Sequence, residues 1–224
     1  SNGEVSFEFF GDSYSLATIS DVSRGSELYI SYGTRSNDQL LQYYGFVEKN
    51  NPHDVYVMPP LREWDIESLE TACGRQFAPG RLQKLERAGL LGSDTAANNE
   101  KDVVKDSEMA NPSGGVVITR AGGIDPAVLQ ALRALVSTEK EWKGAGEAIG
   151  NFAVKYGSEN ERIARLAART GIENELLSKP TTRTEDETLL SRASPKSMNL
   201  EERLAIEFRI EKKKLLEETL DNLK

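Results

Sequence analysis

The sequence contains one cysteine and one histidine, Cys73 and His53. A single cysteine excludes an internal disulfide and a zinc site built from several thiolates, and its scarcity is typical of a reducing compartment. A single histidine excludes metal motifs that need two, and any Ser-His-Asp or Cys-His triad would have to use His53. Because His53 lies in the turn-like stretch NNPHDVY, we interpret it as a turn or surface residue.

Long apolar runs and an excess of positive charge are also missing. No run of about eighteen apolar residues occurs, so the sequence predicts no helix that crosses a membrane. The formal net charge of −8 argues against a nucleic-acid binder, which needs a basic face for phosphate contacts. An acidic surface is compatible with a basic protein partner. The 224 residues, 38% of them hydrophobic, are enough to bury a core.

The N-terminal part of the sequence is patterned as β-structure with one helix. The opening SNGEVSFEFF starts an alternating strand pattern with no initiator methionine and no signal peptide, so we expect the sequence to be cut on its N-terminal side. A short helix is predicted with Asn37 as its N-cap and Gly45 at its end. Strands are predicted over 4–10, 14–19, 27–32 and 55–58.

The remainder is patterned as helices. Asp125-Pro126 is a typical helix start, and the helix predicted over 81–88 has Gly89 at its end. Capping-box patterns predict further helices behind Thr138, Ser158 and Asn199. The fold class is therefore predicted to be α+β, with a β-rich piece over 1–58 and an all-α piece over 59–224.

Two segments within the part predicted to be helical have an unusual composition. Residues 92–115 are polar and weakly patterned, which predicts a mobile insertion. In the last predicted helix, glutamates interleave with the lysines at 212–214. The simpler interpretation is a solvated face with ion pairs one turn apart, and the alternative is a helix that binds a partner.

The stretch ISYGTRSNDQLLQYYGFVEKNNPHD contains two aromatic–glycine pairs, Tyr32-Gly33 and Tyr44-Gly45. It resembles the end of the catalytic SET domain in the protein methyltransferases that are similar to Rubisco large-subunit methyltransferase. Ser1-Asn2-Gly3 resembles the residues after the Asn-His motif of this family, and the helical remainder resembles its substrate-binding domain. The Gly-x-Gly cofactor loop and the Asn-His pair of the family would lie before Ser1. The matching positions are Tyr32-Gly33, Arg35, Ser36-Asn37, Leu40-Leu41, Gly45-Phe46 and Asn51 to Asp54.

This resemblance implies a role for each of several residues. Tyr32 would be the active-site tyrosine beside a methyl-transfer channel. Tyr44, Gly45 and Phe46 would contact S-adenosylmethionine, with Tyr44 also lining the pocket of the target side chain, and Arg35 would touch substrate. No metal is implied. The competing interpretations are structural: Tyr32 as a packed tyrosine at the end of a strand, Tyr44 to Phe46 as an ordinary helix end, and Arg35 as a solvated turn residue.

The resemblance implies an S-adenosylmethionine-dependent protein-lysine N-methyltransferase, with the helical part docking the protein substrate and the protein acting as a monomer. A histidine acceptor is an alternative within the same class. A non-catalytic docking module, or a helical scaffold capped by the β segment, are alternatives from other classes. We expect the sequence as it stands to be inactive alone. The subgroup includes plastid and cytosolic enzymes, so the compartment stays open.

Overall fold

The structure, a computed structural model, describes residues 5–10, 13–91, 114–192 and 198–224. Most of the predicted mobile insertion, 92–115, therefore lies outside the described residues. None of the described helices is both long and apolar enough to cross a membrane.

The chain begins with an antiparallel hairpin of β1, Val5–Phe10, and β2, Ser13–Thr18. Both strands confirm predictions. The third predicted strand, 27–32, is wrong, because these residues belong to neither of the two sheets. A strand needs a neighbouring strand for its backbone hydrogen bonds, and the described residues supply none beside this segment. Its side chains accordingly remain open, with Leu28 50% and Tyr29 59% exposed.

A second sheet joins distant parts of the chain. It consists of β3, Val55–Met58, β4, Val116–Thr119, and β5, Gly123–Ile124, in that order and antiparallel. Val55 lies opposite Thr119, and Met58 lies opposite Val116. The prediction that residues 59–224 are all-α is therefore wrong, since β4 and β5 lie within that range. The predicted boundary after residue 58 runs through one sheet.

Eight α-helices occur in the described residues. The caps predicted at Asp125, Thr138 and Asn199 are confirmed, and each side chain accepts a backbone N–H of the first turn. Single 3-10 turns lie at Leu61–Glu63 and Ile149–Phe152. The helices are α1, Asn37–Tyr44; α2, Ile66–Cys73; α3, Arg81–Arg87; α4, Pro126–Val136; α5, Glu139–Gly144; α6, Ser158–Leu177; α7, Arg183–Arg192; and α8, Leu200–Asn222.

Two predicted helix starts are wrong by one residue. The N-cap of α6 is Gly157 rather than Ser158, and it makes no side-chain cap bond. The reason is that Glu161, the expected second member of the box, instead accepts Nε of Arg133 on α4 at 2.6 Å. The N-cap of α1 is Ser36, which forms a capping box with Gln39 and leaves the Asn37 side chain available for another role.

One hydrophobic core spans the second sheet and the helices. The helix predicted to start at Asp125-Pro126 contributes one apolar face to this core, because Val128, Leu132, Leu135 and Val136 are all buried. Met58 and Ile118 bring β3 and β4 into the same cluster. Burial of about 25 cal/mol per Å² of apolar surface is the main force that holds these layers together.

Candidate functional site

Three aromatic side chains from the two ends of the motif stretch lie together. The ring centroids of Tyr32 and Tyr44 are 4.3 Å apart at 51°, and those of Tyr32 and Phe46 are 5.4 Å apart. The Arg35 guanidinium carbon lies 6.0 Å from the centroid of the Tyr44 ring. Such tilted aromatic pairs are favourable. We call Tyr32, Tyr44 and Phe46 the aromatic cluster.

The cluster remains open to solvent on one side. Tyr32 is 38% exposed and Tyr44 is 44% exposed, so neither ring is a packed core residue of the described chain. Gly33 and Gly45, which follow the two tyrosines, have φ of +78° and +70°. This left-handed backbone disfavours other residues, and a Cβ at either position would meet no atom within 4 Å. The glycines therefore bend the chain, and the space beside them is open.

A buried polar network fixes the start of α1, the helix that carries Tyr44. Asn37 donates its backbone N–H and its Nδ2 to the two carboxylate oxygens of Asp54, at 3.0 and 3.1 Å. Its Oδ1 accepts the N–H of Glu48 at 2.9 Å. Asn51 donates Nδ2 to the Arg35 carbonyl at 2.8 Å. The motif positions Asn37, Asn51 and Asp54 are all fully buried, so their evident role is to fold the stretch back on itself.

Lys212 of α8 completes this network. Its Nζ donates to Asp54 Oδ1 at 2.8 Å and to the Val55 carbonyl at 2.6 Å, and it also contacts the carboxylate of Asp38. The ammonium lies 4.9 Å from the Phe208 ring centroid. Because the Asp54 carboxylate is fully buried, Lys212 supplies the positive charge that its burial requires.

Neighbouring residues of α8 contact the same stretch. Glu211 accepts the backbone N–H of Asn50 at 2.8 Å, and Lys214 donates to the Asn50 side chain. Arg120, at the end of β4, contacts Glu211 at 3.3 Å and Glu218 at 2.7 Å. The interpretation of α8 as a solvated face with ion pairs one turn apart is therefore wrong for residues 211–218, whose charges pair with other elements.

Asp186 forms a second buried ion cluster, between α7 and α8. It accepts Nζ of Lys213 at 2.6 Å, Nη2 of Arg209 at 2.7 Å and the hydroxyl of Thr181 at 2.9 Å. Burial by itself raises the pKa of Asp186, but hydrogen bonds from Arg209, Lys213 and Thr181 outweigh it and hold the pKa below its usual value. The carboxylate therefore stays ionised and joins the two helices.

The structure describes the position of every residue that the sequence analysis assigned to the site. Tyr32, Tyr44, Gly45 and Phe46 come together, with the Arg35 guanidinium over the Tyr44 ring. Their chemical roles stay predictions. Asn37, expected as a helix cap, is instead a member of the buried network.

Sequence reasoning missed Lys212, although a signal was present. Leucine and phenylalanine recur every four residues along α8, and a lysine interrupts this series at 212. A charge within an apolar stripe is expected to meet a buried counter-charge. The series is Leu200, Leu204, Phe208, Lys212, Leu216 and Leu220.

Comparison with known proteins agrees with the helical part of the resemblance. The family described as Rubisco LSMT substrate-binding matches residues 74–216, which is more than half of the chain. A search of curated proteins finds no match. The matched range runs from the end of α2 into α8 and includes Lys212 and Asp186, while the aromatic cluster precedes it. The chain belongs to the Rubisco LSMT substrate-binding family.

Proposed function

We propose that this chain is part of an S-adenosylmethionine-dependent protein-lysine N-methyltransferase, in which the helical part docks the protein substrate. Family membership supports the docking role. The observation that supports the catalytic role is the packing of Tyr32 against Tyr44, with ring centroids 4.3 Å apart and both rings half-exposed. These are the residues to which the SET-domain resemblance assigns the methyl-transfer channel.

The chemistry requires the side chains of the channel to position an amine. A lysine ammonium has an ordinary pKa of about 10.4, so it must lose a proton and its hydration before it can act as a nucleophile. S-adenosylmethionine, when bound, supplies an electrophilic methyl group on a sulfonium. In the proposal the Tyr32 hydroxyl orients the amine, while the Tyr44 and Phe46 rings form an apolar wall that excludes water.

Tyr44, Gly45 and Phe46 leave open, partly apolar space that fits one side of such a cofactor. The Tyr44 ring is 44% exposed, and the position beside Gly45 is free of atoms within 4 Å. Phe46 adds an apolar face next to both tyrosines. Tyr44, Gly45 and Phe46 would therefore hold the cofactor from this side.

A methyl-transfer assay of the protein encoded by the complete open reading frame tests the proposal. Tyr32→Phe removes one hydroxyl and keeps the ring, and we expect about a hundredfold lower transfer of a tritiated methyl group, because the amine loses its orienting contact. Tyr43→Phe is the matched control. Tyr43 is 65% exposed on the same helix and lies outside the aromatic cluster, so its rate should stay within about twofold.

The labelled amino acid identifies the acceptor. Hydrolysis of the product should give methyl-lysine; methyl-histidine would overturn the lysine assignment and leave the methyltransferase class intact. If the complete protein neither binds S-adenosylmethionine nor transfers a methyl group, the methyltransferase assignment fails and a non-catalytic protein-docking module remains as the function. Equal rates for Tyr32→Phe and the unmodified protein would remove Tyr32 from the mechanism.

A further inference from the structure

A cleft of about 200 Å³ lies where the end of β3 and the start of α2 meet α6. Met58, Pro59, Trp64 and Leu69 form its apolar floor, and the cleft shares no lining residue with the aromatic cluster. The Trp64 indole N–H donates to the Pro59 carbonyl at 2.9 Å, which fixes the ring. Gly171 of α6 makes room for it, since a Cβ there would lie 2.2 Å from the Trp64 ring.

Besides the apolar floor, three carboxylates line this cleft. Its lining contains no lysine or arginine side chain. Glu175 uses Oε1 for two partners, Tyr56 at 2.6 Å and Lys179 at 2.5 Å. Asp65 uses Oδ1 to cap α2 through the Ser68 N–H, at 3.1 Å. The second oxygen of each carboxylate accepts no hydrogen bond from the described part of the chain.

The third carboxylate, Glu63, is more open than Glu175, whose side chain is 11% exposed. The Glu63 side chain is 57% exposed, and the neighbouring Arg62 approaches it only to 3.9 Å. The cleft therefore combines a fixed apolar floor with three partly available carboxylates, a combination suited to a cation on an apolar stem. Among the described residues, no group of acidic, histidine or cysteine side chains is arranged to hold a metal ion, so an organic cation fits better.

We propose that this cleft binds a lysine or arginine side chain of the docked protein, with the alkyl stem on the floor and the cationic group towards Glu63, Asp65 and Glu175. The volume of about 200 Å³ is below the range of roughly 300–1,000 Å³ for drug-sized ligands, which favours one side chain. The inference rests on the proposed docking function and names the residue class that docking would recognise. Charge complementarity with the carboxylates selects a basic partner.

Titration of the ¹⁵N-labelled chain with short peptides tests the proposal. The peptides are identical alanine-rich sequences that carry lysine, arginine or the neutral isostere norleucine at one central position. The sequence has two tryptophans, and a Trp142→Phe variant assigns the indole N–H signal of Trp64. We expect the lysine and arginine peptides to shift this signal saturably, and the norleucine peptide to bind at least about fivefold more weakly.

Paired variants separate the cleft from the overall acidic charge. Glu63→Gln with Asp65→Asn removes two charges at the cleft, and asparagine caps a helix as well as aspartate does, so α2 is retained. This variant should weaken lysine-peptide binding about fivefold. Glu86→Gln with Glu201→Gln removes two charges at exposed positions on α3 and α8 and should leave affinity unchanged.

Equal affinity for the norleucine and lysine peptides would overturn the proposal, as would an unchanged affinity of the cleft variant or the lack of a saturable Trp64 shift. Different responses to lysine and arginine peptides would decide which side chain the site takes. The measurement needs no cofactor and no methyl transfer. A failure of the methyltransferase assignment is therefore distinguishable from a failure of this site.

Discussion

Lys212 and Asp54, which lie 158 positions apart in sequence, form a buried ion pair with Nζ 2.8 Å from Oδ1. Their side chains are 8% and 0% exposed. Asp54 also accepts two hydrogen bonds from Asn37, the first residue of α1. The C-terminal helix therefore sets the position of the helix that carries Tyr44, although α8 makes up part of the matched substrate-binding range.

Replacing Lys212 by methionine should lower the free energy of unfolding by about 3 kcal/mol, because Asp54 would stay buried without its counter-charge. Equilibrium unfolding in urea measures this. Lys214→Met is the control on the same helix: Lys214 is only half-buried and contacts the neutral Asn50, so its loss should cost about 1 kcal/mol or less. Equal effects of the two variants would contradict the assigned role of Lys212.

Acid should weaken the contact between α7 and α8. The pKa of Asp186 is held below its usual value, so its contribution to stability is complete above the unfolded pKa of about 3.9 and is lost as the pH falls towards the folded value. Thermal unfolding between about pH 6 and pH 2 measures this loss. Asp186→Asn should be less stable at neutral pH by about 3 kcal/mol and should lose less stability on acidification. An identical pH dependence in both proteins would show that Asp186 is not responsible.

Gly171→Ala should destabilise the protein by about 1–3 kcal/mol, because the new Cβ would lie 2.2 Å from the Trp64 ring and force it away from α6. Trp64 should then change its fluorescence. Gly150→Ala is the matched control, since a Cβ there would meet no atom within 4 Å. If both variants unfold at the same urea concentration, the close approach of Trp64 to Gly171 is incorrect.

Cys73 should resist thiol reagents until the protein unfolds. It is 7% exposed, and burial raises the pKa of its thiol more than Arg75 and Arg162 lower it, so little thiolate is available. As the sequence has no other cysteine, labelling at pH 8 reports opening around α2 directly. The Leu177→Cys variant is the control, because position 177 is 82% exposed and its new thiol should react rapidly. Rapid labelling of Cys73 itself under native conditions would contradict its burial.

Local sequence patterns predicted the structure correctly where the stabilising interactions are themselves local. The caps at Asp125, Thr138 and Asn199 use residues within one turn, and all three were predicted. Ser158 presents the same pattern with Glu161, but Arg133 of another helix binds Glu161 instead. A buried ion pair between helices here outweighs a capping box at the surface.

The remaining errors come from partners that are distant in sequence. β5 has only two residues, too few for a strand pattern to be recognised, and it pairs with β4. β4 is as short as β3 and pairs with it across a long stretch of sequence, a contact that no local pattern predicts. Residues 27–32 have the opposite problem: the strand pattern is clear, but the described chain supplies no neighbouring strand. The aromatic cluster was predictable from the family resemblance. The apolar series on α8 could have indicated that Lys212 is buried, but its partner Asp54 lies 158 positions away and no local pattern identifies it.

The sequence distance between Lys212 and Asp54 also has a consequence for synthesis. At about 5–20 residues per second, the ribosome releases Lys212 roughly 8–30 seconds after Asp54, which is 158 positions earlier. During that interval the Asp54 carboxylate has no ammonium beside it and stays hydrated instead of being buried against Asn37. The wall of the proposed channel is therefore completed only after α8 has been synthesised, and a nascent chain that stops before α8 lacks the ammonium that pairs with the Asp54 carboxylate.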